Sequence, residues 1–132
     1  MTYQFNPYKP ADVCMTNTTW YDGKDFNSNV TQEQIVWMPE WPETEPNPPL
    51  PVRQAVALAQ GCLNRLVREP ERWSLHEAVL KPFGNHDRWI YLIQFKGFLP
   101  PNIIDGMVPL MRIVVLMSGE VIEPVVMNHP LR

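Results

Sequence analysis

The chain has 132 residues, of which 45% are hydrophobic and 19% charged, and a formal net charge of −3 at pH 7. That length supports one hydrophobic core with an appendage, and the sparse, slightly negative charge gives no broad attraction to phosphate or anionic lipid, which argues against a nucleic acid or a membrane surface as partner. The longest apolar stretch, Met107 to Met117, is interrupted by Pro109 and Arg112 and falls far short of the roughly 20 residues that span a bilayer, so a soluble chain is expected.

The first residues, Met-Thr-Tyr-Gln-Phe-Asn-Pro-Tyr-Lys-Pro, have neither the basic start nor the apolar middle of a secretory signal, and localisation stays open because such a signal is removed on export. Residues 1 to 37 hold no period for two helical turns, and the turn-like Tyr21-Asp22-Gly23-Lys24 lies among them. An irregular arm is expected. Tyr3, Phe5, Tyr8, Trp20, Tyr21, Phe26 and Trp37 give it apolar bulk that disordered segments lack, so it should lie against something. Gln34 to Trp37 has the composition of a short strand.

From Met38 to Pro51 the chain carries six prolines, which exclude helix and favour an extended connector. The helix follows. Val52, Ala55, Val56, Ala59, Cys62, Leu63 and Leu66 recur at three-and-four spacing, which places them on one face of a helix from Pro51 to Arg68, about 27 Å long. Pro51 suits the first turn, and Pro70 forbids extension much beyond Arg68.

Trp73 to Lys81, closed by Pro82, and Arg88 to Phe95 read as a hairpin around Phe83-Gly84-Asn85-His86-Asp87. The second of these strands is apolar on both faces and therefore central. After a loop with Pro100, Pro101, Gly106 and Pro109, the segments Leu110 to Met117 and Glu120 to Met127 flank Ser118-Gly119, a second tight hairpin. The expected fold class is α+β, with one long helix packed on a four-stranded antiparallel meander and an irregular aromatic and proline-rich N-terminal arm. Residues 1–49 form the arm and connector, and residues 50–132 the helix-plus-sheet domain.

The helix centred on Ala-Val-Ala-Leu-Ala, followed by Arg88-Trp-Ile-Tyr-Leu-Ile-Gln-Phe and Arg112-Ile-Val-Val-Leu-Met-Ser-Gly-Glu-Val-Ile, resembles the helix and hairpins of PepSY-like and broader cystatin-like domains over residues 50–127. The resemblance implies that fold and a non-enzymatic habit. No Gln-x-Val-x-Gly loop joins the strands, and Trp41-Pro42 precedes the helix, so no inhibitory residues carry over from the cystatins. The loop from Lys96 to Pro109 and the proline-rich arm are additions to the PepSY-like pattern.

Candidate chemistry is sparse. Cys62 falls on the apolar helix stripe, where a thiol has no base, and core packing is its simpler account. Cys14 and Cys62 either pair or stay independent. Asn17-Thr18-Thr19 and Asn29-Val30-Thr31 match the glycosylation acceptor pattern, which has force only in a secreted eukaryotic protein. His76, His86 and His129 are too dispersed for a metal site. Glu123 alternates with Val121 and Val125 but has no partner acid. Arg65, Arg68 and Arg72 form a basic cluster best read as cations at a helix C-terminus. No cofactor or metal is expected.

The reading that follows is a non-catalytic module that binds a protein or peptide, with Trp37, Trp41, Phe98 and Leu99 as candidate contact residues. A structural homodimer subunit is the alternative, and a small enzyme with a site assembled from scattered residues a third. The chain is expected either as a monomer covered by its arm or as a homodimer.

Overall fold

In a computed structural model, residues 13–83, 85–99 and 108–128 are described. Tyr3, Phe5, Tyr8, Gly84, Pro100, Pro101, Gly106, His129 and the tail Pro130–Arg132 lie outside them, as do the side chains of Cys14 and His86.

The N-terminal segment is not irregular from residue 13 onward. Val13–Tyr21 (β1) and Lys24–Thr31 (β2) form an antiparallel hairpin, turned at Asp22 and Gly23, both at positive φ (54° and 71°). A two-residue Asp-Gly link of that hand matches the right-handed twist of paired strands. Phe26, Ser28 and Val30 alternate inward along β2 and are buried. On the outer face Thr18 Oγ1 donates to Asn27 Oδ1 at 2.8 Å and Thr16 Oγ1 to Asn29 Oδ1 at 3.0 Å.

The segment expected as a strand, Gln34 to Trp37, is instead part of a short helix, Gln32–Trp37 (α1). Its cause is a capping box: Thr31 Oγ1 accepts from the Gln34 amide at 3.3 Å and the Gln34 side chain accepts from the Thr31 amide at 2.9 Å. At its other end, Arg88 Nη1 donates to the carbonyls of Ile35 at 2.6 Å and Val36 at 3.1 Å. These are carbonyls of the last helical turn, where intrahelical partners run out, and that of Ile35 also accepts from the Met38 amide at 3.3 Å.

The long helix runs Val52–Leu66 (α2) with Pro51 as its N-cap residue. Ala55, Ala59, Cys62 and Leu63 are buried, Val56 and Leu66 half-buried, and Val52 is exposed on the first turn. After a 3₁₀ turn at Pro70–Arg72 come Ser74–Phe83 (β3), Asn85–Lys96 (β4), Leu110–Leu116 (β5), Val121–Ile122 (β6) and Val125–Asn128 (β7).

The single meander is corrected to two sheets, one in the order β3-β4-β5-β6 and the other β1-β2-β7. The expected last strand, Glu120 to Met127, is interrupted at Glu123 and Pro124, because proline has no amide to continue a ladder. β6 stays beside β5, whereas β7 crosses to pair with β2. The β3–β4 hairpin is tighter than expected. Strands β3 and β4 pair as far as Phe83 and Asn85, and Pro82 sits within β3 opposite Trp89, which is tolerated because β3 is an edge strand.

The β4–β5 pair has two buried faces. Tyr91, Ile93 and Phe95 lie opposite Val115, Ile113 and Met111, and the Tyr91 hydroxyl donates to the carbonyl of Leu50 at 2.6 Å, just before α2. This is the face that α2 covers. Ile90 and Leu92, opposite Leu116 and Val114, face the other way and are also buried. Phe26, Val30, Ile35 and Met38 belong to the same apolar cluster, and β1 contacts β5 while β2 contacts β6. The hairpin and α1 therefore close the second face.

Candidate functional site

A cleft of about 740 Å³ opens near the C-terminal end of α2. One wall is Thr19, Trp20, Tyr21 and Asp22, from the end of β1 and its turn. Arg68 and Glu69 come from the segment leaving α2, Phe98 and Leu99 from the chain leaving β4, and Val108, Pro109, Leu110 and Arg112 from the chain entering β5.

Several contacts hold these pieces together. The Gly97 amide donates to the Pro109 carbonyl at 2.8 Å, which pins the two ends of the β4–β5 connection. Thr19, itself buried, accepts through Oγ1 from the Arg112 amide at 3.3 Å and so ties β1 to the part of β5 that β6 leaves unpaired. Tyr21 meets Trp73 edge-on with centroids 5.1 Å apart, a favoured aromatic arrangement. Burial, and then the charge of Asp22, raises the Tyr21 phenol above its ordinary value.

Gly97 is a close-approach glycine. A Cβ there would lie 2.9 Å from Pro109 Cγ and 2.9 Å from Trp73 Cη2 and Cζ2. Because Trp73 is buried, Gly97→Ala is expected to destabilise by about 1–3 kcal/mol through overpacking. Denaturant titration checks this, and a melt identical to wild type would show that the contact relaxes at no cost.

The basic cluster seen in the sequence is divided among partners. Arg68 Nη2 lies 2.8 Å from Asp22 Oδ2, and Arg72 lies 3.7 Å above the Phe98 ring centroid and 3.7 Å from Glu69. Arg65 grips Glu123 with two bonds of 2.8 and 3.2 Å. Glu123 is lowered from its ordinary value first by that hydrogen bond.

Cys62 is buried and carries a free thiol. Burial, followed by the charge and hydrogen bond of Glu123, pushes it up to about 12 from 9.0. A group raised on folding contributes stability that is intact below its unfolded value and lost as pH rises through the folded one. Alkaline destabilisation between about pH 9 and about pH 12 is therefore expected, with Tyr21 and Tyr91 shifted in the same direction. Cys62→Ala should flatten part of that slope in a pH series of melts, and native protein at pH 8 should react slowly with a thiol reagent. Rapid modification before unfolding would contradict the assignment.

Of the four contact residues expected from sequence, Phe98 and Leu99 come together in this cleft. Trp37, 79% exposed, instead borders a smaller cleft of about 490 Å³ with Asn29, Thr31, Glu33, Gln34, Ser118 and Glu120. Trp41 is half-buried against Trp89 at 5.3 Å, with Nε1 donating to the Glu45 carbonyl at 2.8 Å and its backbone amide to Asp87 at 2.8 Å. Its visible role is to fasten the connector. The sequence reading missed Trp20, Tyr21, Arg68 and Arg112 as a set, although Trp20-Tyr21 directly before Asp22-Gly23 marks the aromatic end of a hairpin.

Among the described residues no group of acids, histidines and cysteines is placed to hold a metal ion, and no helix is long and apolar enough to cross a membrane. In comparisons with family models, curated proteins and solved structures, none matches this chain.

Proposed function

We propose that the chain is a non-catalytic module that binds a protein or peptide segment in the larger cleft. The observation that carries this reading is an open, preformed cleft with large apolar walls, Trp20, Tyr21, Phe98 and Leu99, and charges at Asp22, Arg68, Glu69 and Arg112. Aromatic anchors with adjacent polar groups are the usual composition of a recognition surface. The helix laid across an antiparallel sheet supports the PepSY-like or cystatin-like resemblance at the level of architecture. Cys62, the nucleophile weighed from sequence, is buried and held as the neutral thiol.

Selection of peptides from a random heptapeptide library is the direct test. Wild type should enrich sequences with large apolar residues, Leu99→Asp should lose them, and Ala57→Asp, on the exposed side of α2, should keep them. No enrichment, or equal enrichment by Leu99→Asp, would remove this reading. Robust turnover of an ester, phosphate or peptide substrate that a single Cys, His or Glu substitution abolishes would replace it with the enzyme alternative.

A second reading, the homodimer, is favoured by β7. It is an edge strand whose Val125, Val126 and Met127 are 59%, 44% and 56% exposed. Edge strands of monomers are usually blunted by charge or proline. Light scattering on the full chain decides: a dimer that Met127→Lys dissociates supports this reading, and a monomer at all concentrations rejects it.

A further inference from the structure

Among the described residues the cleft leaves one guanidinium without a counter-ion. Asp22, one of its two acids, is taken by Arg68 at 2.8 Å, and Glu69, the other, lies 3.7 Å from Arg72. Arg112 lines the same cleft and is half-buried. Among the described residues its guanidinium has neither an ion pair nor a hydrogen-bond acceptor; its backbone amide alone is engaged, by Thr19. The nearest polar side chain across the ladder, Gln94, donates to Glu77 at 2.9 Å.

A charge removed from bulk water without a partner is costly, and apolar walls strengthen its attraction for an anion that enters. The planar fork of arginine matches the two oxygens of a carboxylate. One unpaired cation balances one negative charge. A phosphate dianion would bring a second beside Asp22 and Glu69, where nothing offsets it.

Resting on the peptide-binding reading above, we propose that the cleft selects a peptide segment in which an Asp or Glu side chain lies among large apolar residues. Arg112 receives the carboxylate, and Trp20, Phe98 and Leu99 receive the apolar neighbours.

The test is fluorescence anisotropy with three labelled apolar hexapeptides: one capped at both ends with a central glutamate, its capped glutamine twin, and that twin with a free C-terminal carboxylate. The capped glutamate peptide should bind roughly tenfold tighter than its glutamine twin, the ratio that about 1.4 kcal/mol produces. Arg112→Gln should abolish the preference, Arg112→Lys should keep part of it, and Arg53→Gln, on an exposed turn of α2, should leave it unchanged. Far-ultraviolet dichroism and melting of each variant separate loss of contact from loss of fold. Equal binding of the glutamate and glutamine peptides, sensitive to Leu99→Asp, would overturn the carboxylate anchor and leave the peptide reading standing. Preference for the free-acid twin would overturn the side-chain assignment in favour of a chain terminus. Failure of all three peptides to bind would overturn both readings.

Discussion

A chain beginning at residue 46 is expected to self-associate or aggregate at concentrations where the full chain remains dispersed. Removing residues 1–45 takes away β1, β2 and α1 and uncovers the sheet face that carries Ile90, Leu92, Val114, Leu116 and Ile122, all now buried. Fully burying an aliphatic side chain contributes about 1.5–3 kcal/mol, so five uncovered together approach the whole stability of a domain, about 5–15 kcal/mol. β7 loses β2, its paired strand, at the same stroke, and Arg88 loses the α1 carbonyls it holds. Light scattering with an apolar-surface dye reads both effects. A truncated monomer that melts at the wild-type temperature would show that the hairpin does not cover this face.

Leu63→Ala should destabilise by roughly 2–5 kcal/mol, because Leu63 is fully buried on the face that α2 presents to the sheet and truncation leaves a cavity. For a chain of this size that corresponds to a fall in melting temperature on the order of 10 °C. Leu66→Ala provides the internal comparison. Leu66 is half-buried on the same helix, so its loss should be visibly smaller, and reversed order would mean that the helix is rotated relative to the face assigned here.

The parts of this fold that could be read from sequence are those whose hydrophobic period is strong. The three-and-four spacing from Ala55 to Leu63 located α2, and the unbroken apolar run of β4 announced a strand buried on both faces, as Ile90 to Ile93 are. The hairpin β1–β2 escaped notice because its alternation is carried by Asn, Ser and Thr. Thr19 and Ser28 occupy buried positions that a hydropathy pattern assigns to solvent. Its turn was visible in Asp22-Gly23, and the start of α1 in the Thr31-x-x-Gln34 spacing, but each is a local signal that gains meaning only when its flanks are recognised as strand.

The split of the last strand was less legible. Pro124 says where pairing must stop, yet nothing local says that the chain beyond it joins β2, about as far away in sequence as the chain allows. The larger cleft shares that difficulty. Its residues come from four separate stretches, and Phe98 and Leu99 stand out in the sequence only as large apolar groups in a loop. Arg112, on an otherwise apolar strand, was seen as an interruption of a hydrophobic run.

The pairing of β2 with β7 also sets the order in which the molecule can be completed. Asn27 lies opposite Val125, and its Nδ2 is 3.9 Å from the Sδ of Met127, one hundred positions along the chain. While the chain is being synthesised the β1–β2 hairpin emerges early, but the strand that completes its sheet leaves the ribosome last of the elements described. Until then one edge of β2 stays open, and an isolated two-stranded hairpin is marginal in water. Contacts of such long sequence separation slow folding, since loop closure must precede the contacts that reward it. During that interval the nascent chain carries an unpaired β2 edge, the feature most apt to engage a chaperone or a second nascent copy.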